Sequence, residues 1–414
     1  VTTRERGGLL RSRDFRLLWT GETTSVLGSS IAVVALPLVA VVTLQASTFA
    51  VGLLTAAAWL PWLLIGLPAG AWVDRRPKRP IMLVCNGISM LVFLSVPVAA
   101  WFGLLTMTQL IVVALAGGVA KVFFNVAYRA YLPSLVEKDQ LQEANEKLQG
   151  SESAAQIGGP GLAGLLAHWF GAVSGVLADA ISFGISVLCL RSIRHREPER
   201  AAKTRSRLRD EIRDGLHFVV RDPYLRVLAV FGAISNVALM GYQSIEVVFL
   251  VRDLGVGEGT AGLVLALVGA GGVFGAAFSG KLATRIGTAR AFVLCEAFGA
   301  LMMLLGPLAN GGLGLAFFVA AGFSLSAGVV GSNVLNATFK QRYVPAAMFG
   351  RVTASMSVLG FGAIALGGLL GGLLGEIAGV RQTLGLMAGL EVIAVFALLF
   401  TPIGRCRDFP SDRV

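Results

Sequence analysis

Residues 26–44 contain no ionisable side chain, and uncharged runs of this kind recur along the whole chain. A helix rises 1.5 Å per residue, so about 20 apolar residues cross a hydrocarbon core of about 30 Å. A helix that faces water needs a polar side, and these runs have none. Only 14% of the 414 residues are charged, against about 25% in a soluble chain. A soluble core cannot hide so many runs, so the expected fold class is an all-α membrane protein.

Twelve spans can be drawn. The first six lie near residues 15–44, 48–73, 80–101, 107–131, 141–170 and 173–191, and the second six near 224–251, 259–283, 289–309, 312–340, 347–377 and 381–402, with ends fixed to about 2–4 residues. The basic residues sort by side. Arg4, Arg6, Arg11, Arg13 and Arg16 precede span 1, and Arg75, Arg76, Lys78 and Arg79 follow span 2. Nine more, from Arg191 to Arg213, follow span 6; Lys281, Arg285 and Arg290 join spans 8 and 9; Arg405, Arg407 and Arg413 close the chain. The opposite loops hold Arg252 and Arg381. Because Lys and Arg accumulate in cytoplasmic loops, both termini are expected in the cytoplasm. The net charge of +11 then reflects topology and headgroup contact, and no nucleic-acid partner is expected.

The cysteines (Cys85, Cys189, Cys295, Cys406) form no C-x-x-C pair, and the histidines (His168, His195, His217) are scattered. Neither set reads as a metal site. No G-x-x-x-x-G-K-[ST] loop is present, so nucleotide drive is not expected, nor any cofactor.

Residues 191–222 are the one polar stretch long enough to be a linker. Leu208, Ile212, Leu216 and Phe218 give part of it the spacing of an amphipathic helix lying on the membrane surface. The expected units are a six-helix bundle over 1–190, the linker over 191–222 and a second six-helix bundle over 223–414. The halves repeat: Gly70 to Arg75 closes span 2 as Gly280 to Arg285 closes span 8, and Tyr131-Leu-Pro133 recurs as Tyr343-Val-Pro345, offsets close to 210. Parallel six-helix repeats are a transporter plan with the site between the halves near the midplane.

Over nearly its whole length the chain resembles the major facilitator superfamily. Gly70-Ala-Trp-Val-Asp74-Arg75-Arg76-Pro77-Lys78-Arg79 is similar to the superfamily's G-x-L-a-D-R-x-G-R-K loop, with Pro77 in place of the second glycine and Trp72 in place of the leucine. Gly158-Gly159-Pro160-Gly161-Leu162-Ala163-Gly164 in span 5 is similar to the G-P-x-x-G motif of its exporters. Phe15-Arg-Leu-Leu-Trp19 and Tyr131-Leu-Pro-Ser-Leu-Val resemble the macrolide-efflux branch of bacterial drug:proton antiporters. Many relatives there carry Asp-x-x-Arg early in span 3, where this chain has Asn86-Gly-Ile-Ser89. The resemblance implies two pseudo-symmetric bundles that rock about a central site. It also implies a latch in which Gly70, Asp74 and Arg75 meet the start of span 11, near Met348 to Arg351. Gly158, Gly159, Pro160 and Gly164 read locally as close-packing positions.

A charge at mid-bilayer costs about 2.5–3.5 kcal/mol and needs a partner or water. Superfamily architecture lines the cavity with spans 1, 4, 7 and 10, with 2, 5, 8 and 11 beside them. Glu22 in span 1 is thus the first choice for proton coupling, with Lys121 and Glu152, which can pair across spans 4 and 5. Burial favours a neutral carboxyl and a nearby cation an ionised one, the alternation a coupled carrier needs. Trp59 and Trp62 lie midway along span 2, away from the aromatic belts. They are candidate substrate contacts or packing residues, with Asn125, Gln156, Asn236, Tyr242, Glu246 and Asn333 as further polar lining. Asp179 is expected to cap outer loops or pair with His168, and Glu296 and Glu391 to be packing or interface residues.

The expected function is proton-coupled efflux of an amphipathic or cationic small organic molecule, such as a drug or secondary metabolite, by a functional monomer without enzymatic activity. The alternatives are a proton-coupled importer or a carrier for a specific metabolite such as a siderophore. A membrane sensor or scaffold without transport is a third reading.

Overall fold

A computed structural model describes residues 9–137, 139–195, 197 and 208–410. Arg4, Arg6, Arg196, Arg200, Lys203, Arg205, Arg207 and Arg413, and the side chains of Leu208, Arg209 and Ile212, lie outside the described residues. The first bundle comprises α1 (Arg13–Leu38), α2 (Thr48–Val73), α3 (Lys78–Trp101), α4 (Met107–Leu135), α5 (Leu141–Phe170) and α6 (Val173–Ser192). The linker helix is α7 (Leu208–Arg221). The second bundle comprises α8 (Pro223–Val248), α9 (Glu258–Ile286), α10 (Thr288–Met303), α11 (Leu315–Tyr343), α12 (Ala346–Ile377) and α13 (Val380–Leu399), so α8 to α13 are spans 7 to 12. A short α14 (Pro402–Arg405) follows, and the described residues include no strand.

Eleven of the twelve bundle helices, some extended by a short adjoining turn, are long and apolar enough to cross a bilayer. The exception is α5, whose first half carries Glu143, Glu146, Lys147 and Glu152. Its 30 residues correspond to about 45 Å of helix, and it packs between α1, α6 and α9, which makes it the twelfth span. Local chemistry starts the helices. Ser12, Ser47 and Thr106 each accept a backbone N–H at the head of α1, α2 and α4, and the Asp222 carboxylate accepts two at the head of α8, with Pro223 in the first turn.

The two bundles repeat contact for contact. In the first, α1 packs on α5 and α6, α2 on α4, and α3 on α4 and α6. In the second, α8 packs on α12 and α13, α9 on α11, and α10 on α11 and α13. The outer ends of α1 and α8 both widen into a π-helical turn, Val39–Thr43 and Phe249–Asp253. Each turn is followed by a residue of positive φ, Gln45 at 50° and Gly255 at 63°. It is then closed by the same bond, Ala46 N–H to the Ala40 carbonyl or Val256 N–H to the Leu250 carbonyl, both 2.9 Å.

The bundles touch along two seams at the end remote from the termini. On one, α2 meets α12: a Cβ added to Gly52 would stand 2.5 Å from the Gly372 Cα, and Leu63 still touches the position of Gly362. On the other, α5 meets α9: a Cβ on Gly164 would stand 2.6 Å from the Gly262 Cα, and the contact runs on through Gly161 with Ala266 to Gln156 with Gly269. Only a residue without a side chain permits such an approach. Toward the end that holds the termini, Gly66, Gly70, Gly150, Gly280 and Gly350 have no such neighbour within 4 Å. The halves therefore meet at one end and part at the other. Arg252 reinforces the closed end by donating to the carbonyls of Val41 (3.3 Å) and Ala46 (2.7 Å) across the bundles. Glu376 accepts the Phe49 N–H there at 3.2 Å.

α7 belongs to the second bundle by contact. Gly215 lies against the Arg351 carbonyl and the Ser355 hydroxyl, and Asp214 pairs with Arg351 at 3.2 Å. Val219 is buried while Leu216 faces outward. Before the linker, the Asp14 carboxylate accepts the backbone N–H groups of Arg194 and His195. Glu197 accepts those of Lys78 and Arg79 at the head of α3.

Candidate functional site

Charged groups converge between α1, α4, α5 and α6. Glu22 of α1 is half-buried and lies within electrostatic reach of both Lys121 on α4 and Glu152 on α5. The approach of α1 to α5 is fixed one residue from Glu152, where the Trp19 indole N–H donates to the Ser151 hydroxyl at 3.0 Å. Asp179 of α6 also feels Lys121. It is 1% exposed and takes a hydrogen bond from Ser182 at 3.2 Å. Among the described residues none of these carboxylates forms a direct ion pair with Lys121, which acts on both Glu22 and Asp179. Lys121 and Glu152 act on Glu22 in common and do not pair with each other. Tyr128, which the sequence reading did not single out, completes the group within reach of Glu22 and Glu152.

Two placements differ from the sequence expectations. Asp179 neither caps an outer loop nor meets His168; its Oδ1 lies 2.7 Å from where a Cβ on Gly28 would be, beside the Ser182 hydroxyl, so it points into the α1–α6 contact. His168 sits instead beside Gly259 and Glu258 at the closed end. Tyr242 is 2% exposed, is stacked on Phe318 at 6.3 Å and is pressed against Gly306, inside the second bundle. It is a packing residue in this conformation and not a cavity wall. In a helix apolar all round, period alone does not say which side meets lipid and which meets protein.

The tryptophans are brought together across the halves. Trp59 and Trp62 of α2 flank Phe361 of α12, with ring centroids 6.1 and 5.1 Å away. This aromatic cluster sits where the α2–α12 seam begins to part, and Phe361 could have been found by matching span 11 against span 2. Asn125 and Asn236 are half-buried, with the Asn236 amide beside Gly360, and Gln156 and Asn333 are exposed. Glu246 is half-buried on α8, near Tyr242, with no cation acting on it among the described residues.

The latch residues do not meet in this conformation. Asp74 and Arg75 are exposed at the open end, while Arg351 is held by Asp214 of the linker helix. The turn itself is organised by buried Lys78, whose ammonium donates to the carbonyls of Val73 (2.9 Å) and Asp74 (3.1 Å), a cation at a helix C-terminus. In the glycine motif, Gly159 rests on Ser30 and Ile31 of α1, Gly164 and the Pro160 carbonyl rest on Gly262, and Gly158 has no such neighbour.

Known proteins resemble this chain in sequence or in fold. The chain is 28% identical over 96% of its length to a multidrug efflux pump, Tap, of Mycolicibacterium fortuitum, covering 97% of that protein. It is 29% identical over 56% of its length to the uncharacterized MFS-type transporter y4rN of Sinorhizobium fredii, a match spanning 58% of that protein. Among solved structures, a bacterial homologue of the iron transporter ferroportin in its inward-facing state aligns over 95% of this chain and 99% of that one, with a TM-score of 0.78 at 16% identity. The outward-facing state of a bacterial ferroportin homologue scores 0.59 at 17% identity, over 93% of this chain and 97% of that one. At such identity the likeness is one of fold. The family profile for transmembrane secretion effectors matches residues 8–411. The protein is thus a multi-pass membrane transporter that belongs to the transmembrane secretion effector family of the major facilitator superfamily.

Proposed function

We propose that the protein exports an amphipathic or cationic small organic molecule in exchange for protons, by alternating access between the two bundles, as a functional monomer in the bacterial inner membrane. The carrying observation is a linked charge cluster: Lys121 acts on both Glu22 and Asp179, and Glu152 acts on Glu22, between helices of one bundle. A proton taken up by one acid changes how Lys121 is distributed among the others. Efflux is supported by the name of the Mycolicibacterium relative. With basic loops retained in the cytoplasm, the open end faces inward, both termini are cytoplasmic, and the seams close the outer face. The working units are 1–190 and 223–414, joined by 191–222. The substrate enters beside Trp59, Trp62 and Phe361, where aromatic faces suit a cation. In the outward-open state Asp74 reaches the start of α12, where a carboxylate at a helix N-terminus gains roughly 0.3–1 kcal/mol.

The test is ethidium uptake into inside-out vesicles on acidifying their lumen. Glu22→Gln should abolish the pH-driven uptake while leaving ethidium exchange at equal pH. Full pH-driven uptake by Glu22→Gln would remove Glu22 from the coupling. No uptake by the unaltered protein, across a panel of amphipathic cations, would sink the export reading.

A further inference from the structure

Two carboxylates of the second bundle have no part in the scheme above. Glu296 on α10 and Glu391 on α13 are 7% and 1% exposed and lie within electrostatic reach of each other. Ser235 of α8 donates to Glu391 Oε1 at 2.9 Å, whereas Oε2 is buried with no hydrogen-bond partner. Ser332 of α11 faces Glu296, and its hydroxyl also lies 2.9 Å from the Val329 carbonyl, which competes for the same proton.

No cation compensates the pair among the described residues. Cys295 is the other titratable group beside Glu296. On the packed helices, Arg351 of α12 is engaged by Asp214. Arg381, at the far end of α13, donates to the carbonyls of Pro307 and Ala309. Lys340 and Arg342 stand in the last turn of α11, and Arg290 in the first of α10. Two unpaired anions buried together would each carry a desolvation cost of several kcal/mol. Two carboxyls sharing a site avoid this by keeping one proton between them.

We propose that Glu296 and Glu391 form a second proton-binding site, which holds one proton between the two carboxyls and takes part in the transport cycle. The proton rests on a carboxyl oxygen of one of the two acids and leaves to water when the site empties. The link to transport is mechanical. Ser235 and Ser332 are carried by α8 and α11, which pack directly on α12 and α9, the seam helices of this bundle. Parting of the seams therefore reaches the two hydroxyls that hold the acids. This second step rests on the proton-driven reading above; the binding of the proton does not.

The test has two arms. Infrared difference spectra of the reconstituted full chain, across a pH titration, should show a protonated-carboxyl band that is lost in both Glu296→Gln and Glu391→Gln and kept in Glu22→Gln. A band untouched by either substitution, or one displaced at fixed pH when sodium replaces choline, overturns the proton site, the latter in favour of a metal cation. Where Glu391→Gln does not fold, Glu391→Asp should keep the band at a shifted frequency, and its loss there counts against the pair. In vesicles, Glu296→Gln should lose pH-driven ethidium uptake but keep exchange at equal pH, and wild-type uptake would remove the pair from the cycle. If the unaltered protein itself moves no ethidium, the export reading fails and the infrared result stands on its own.

Discussion

The two bundles bury polar groups at matched positions and differ in how they balance charge. Ser25, Asn86 and Asp179 of the first recur as Ser235, Glu296 and Glu391 of the second, at offsets of 210, 210 and 212, and all six are at most 7% exposed. In the first bundle the middle position is an amide that donates to Ser186 at 2.8 Å, and Lys121 acts on the acid. In the second it is another acid, and among the described residues no lysine acts on the pair. One scaffold thus supports a compensated charge on one side and an uncompensated pair on the other. The repeat conserves helix packing much more strictly than it conserves what the helices bury.

The largest effect should come from removing the cation of the first bundle. Lys121→Gln leaves Asp179 buried and uncompensated, a loss of about 1–3 kcal/mol, together with transport. Adding Asp179→Asn should restore thermal stability but not transport, a non-additive pair readable by thermal unfolding. Glu391→Gln, which mimics a protonated acid, should cost under about 1 kcal/mol by the same measure. Equal costs in the two bundles would erase the distinction between them.

An intermediate effect concerns the seams. Gly164→Leu on α5 and Gly52→Leu on α2 each wedge a side chain into backbone, at about 1–3 kcal/mol of overpacking. Spin-label distances between the open ends of α2 and α12 should shorten in both variants as the population moves away from this conformation. A change in one variant only would mean that the seams do not act together.

The smallest effect tests the duplicated turn. Gln45 holds a left-handed backbone where its counterpart is Gly255, a strain of about 1 kcal/mol. Gln45→Gly should raise the thermal midpoint slightly and Gly255→Ala should lower it. The same sign for both would show that the two turns are not equivalent.

The spans were readable because the bilayer demands long uncharged helices, and the pairing of halves because Gly70 and Gly280, or Tyr131 and Tyr343, stand at one offset. Even α5, charged over its first half, could be placed by its glycines. Glu22 followed from the helix order that the resemblance implies, and depth along the helices put Lys121 level with Glu152, two residues that act on Glu22 without pairing with each other. Rotation was harder to read. Tyr242 packs inward, and Asp179 points at Gly28, because in a helix apolar on every side nothing in the sequence marks the face toward protein. Arg351 was likewise drawn to Asp214, since an amphipathic linker offers a closer acid than the opposite bundle does.

Arg252 has no counterpart in the first bundle, where Val42 stands at the matching position, and it grips peptide carbonyls. Such acceptors neither gain nor lose a proton over the physiological range. That clasp is therefore blind to acidity, and a change of pH cannot loosen it directly. Under the proposed proton coupling, the signal has to be read by the interior acids and passed along the helices, which keeps the sensor and the valve in separate places.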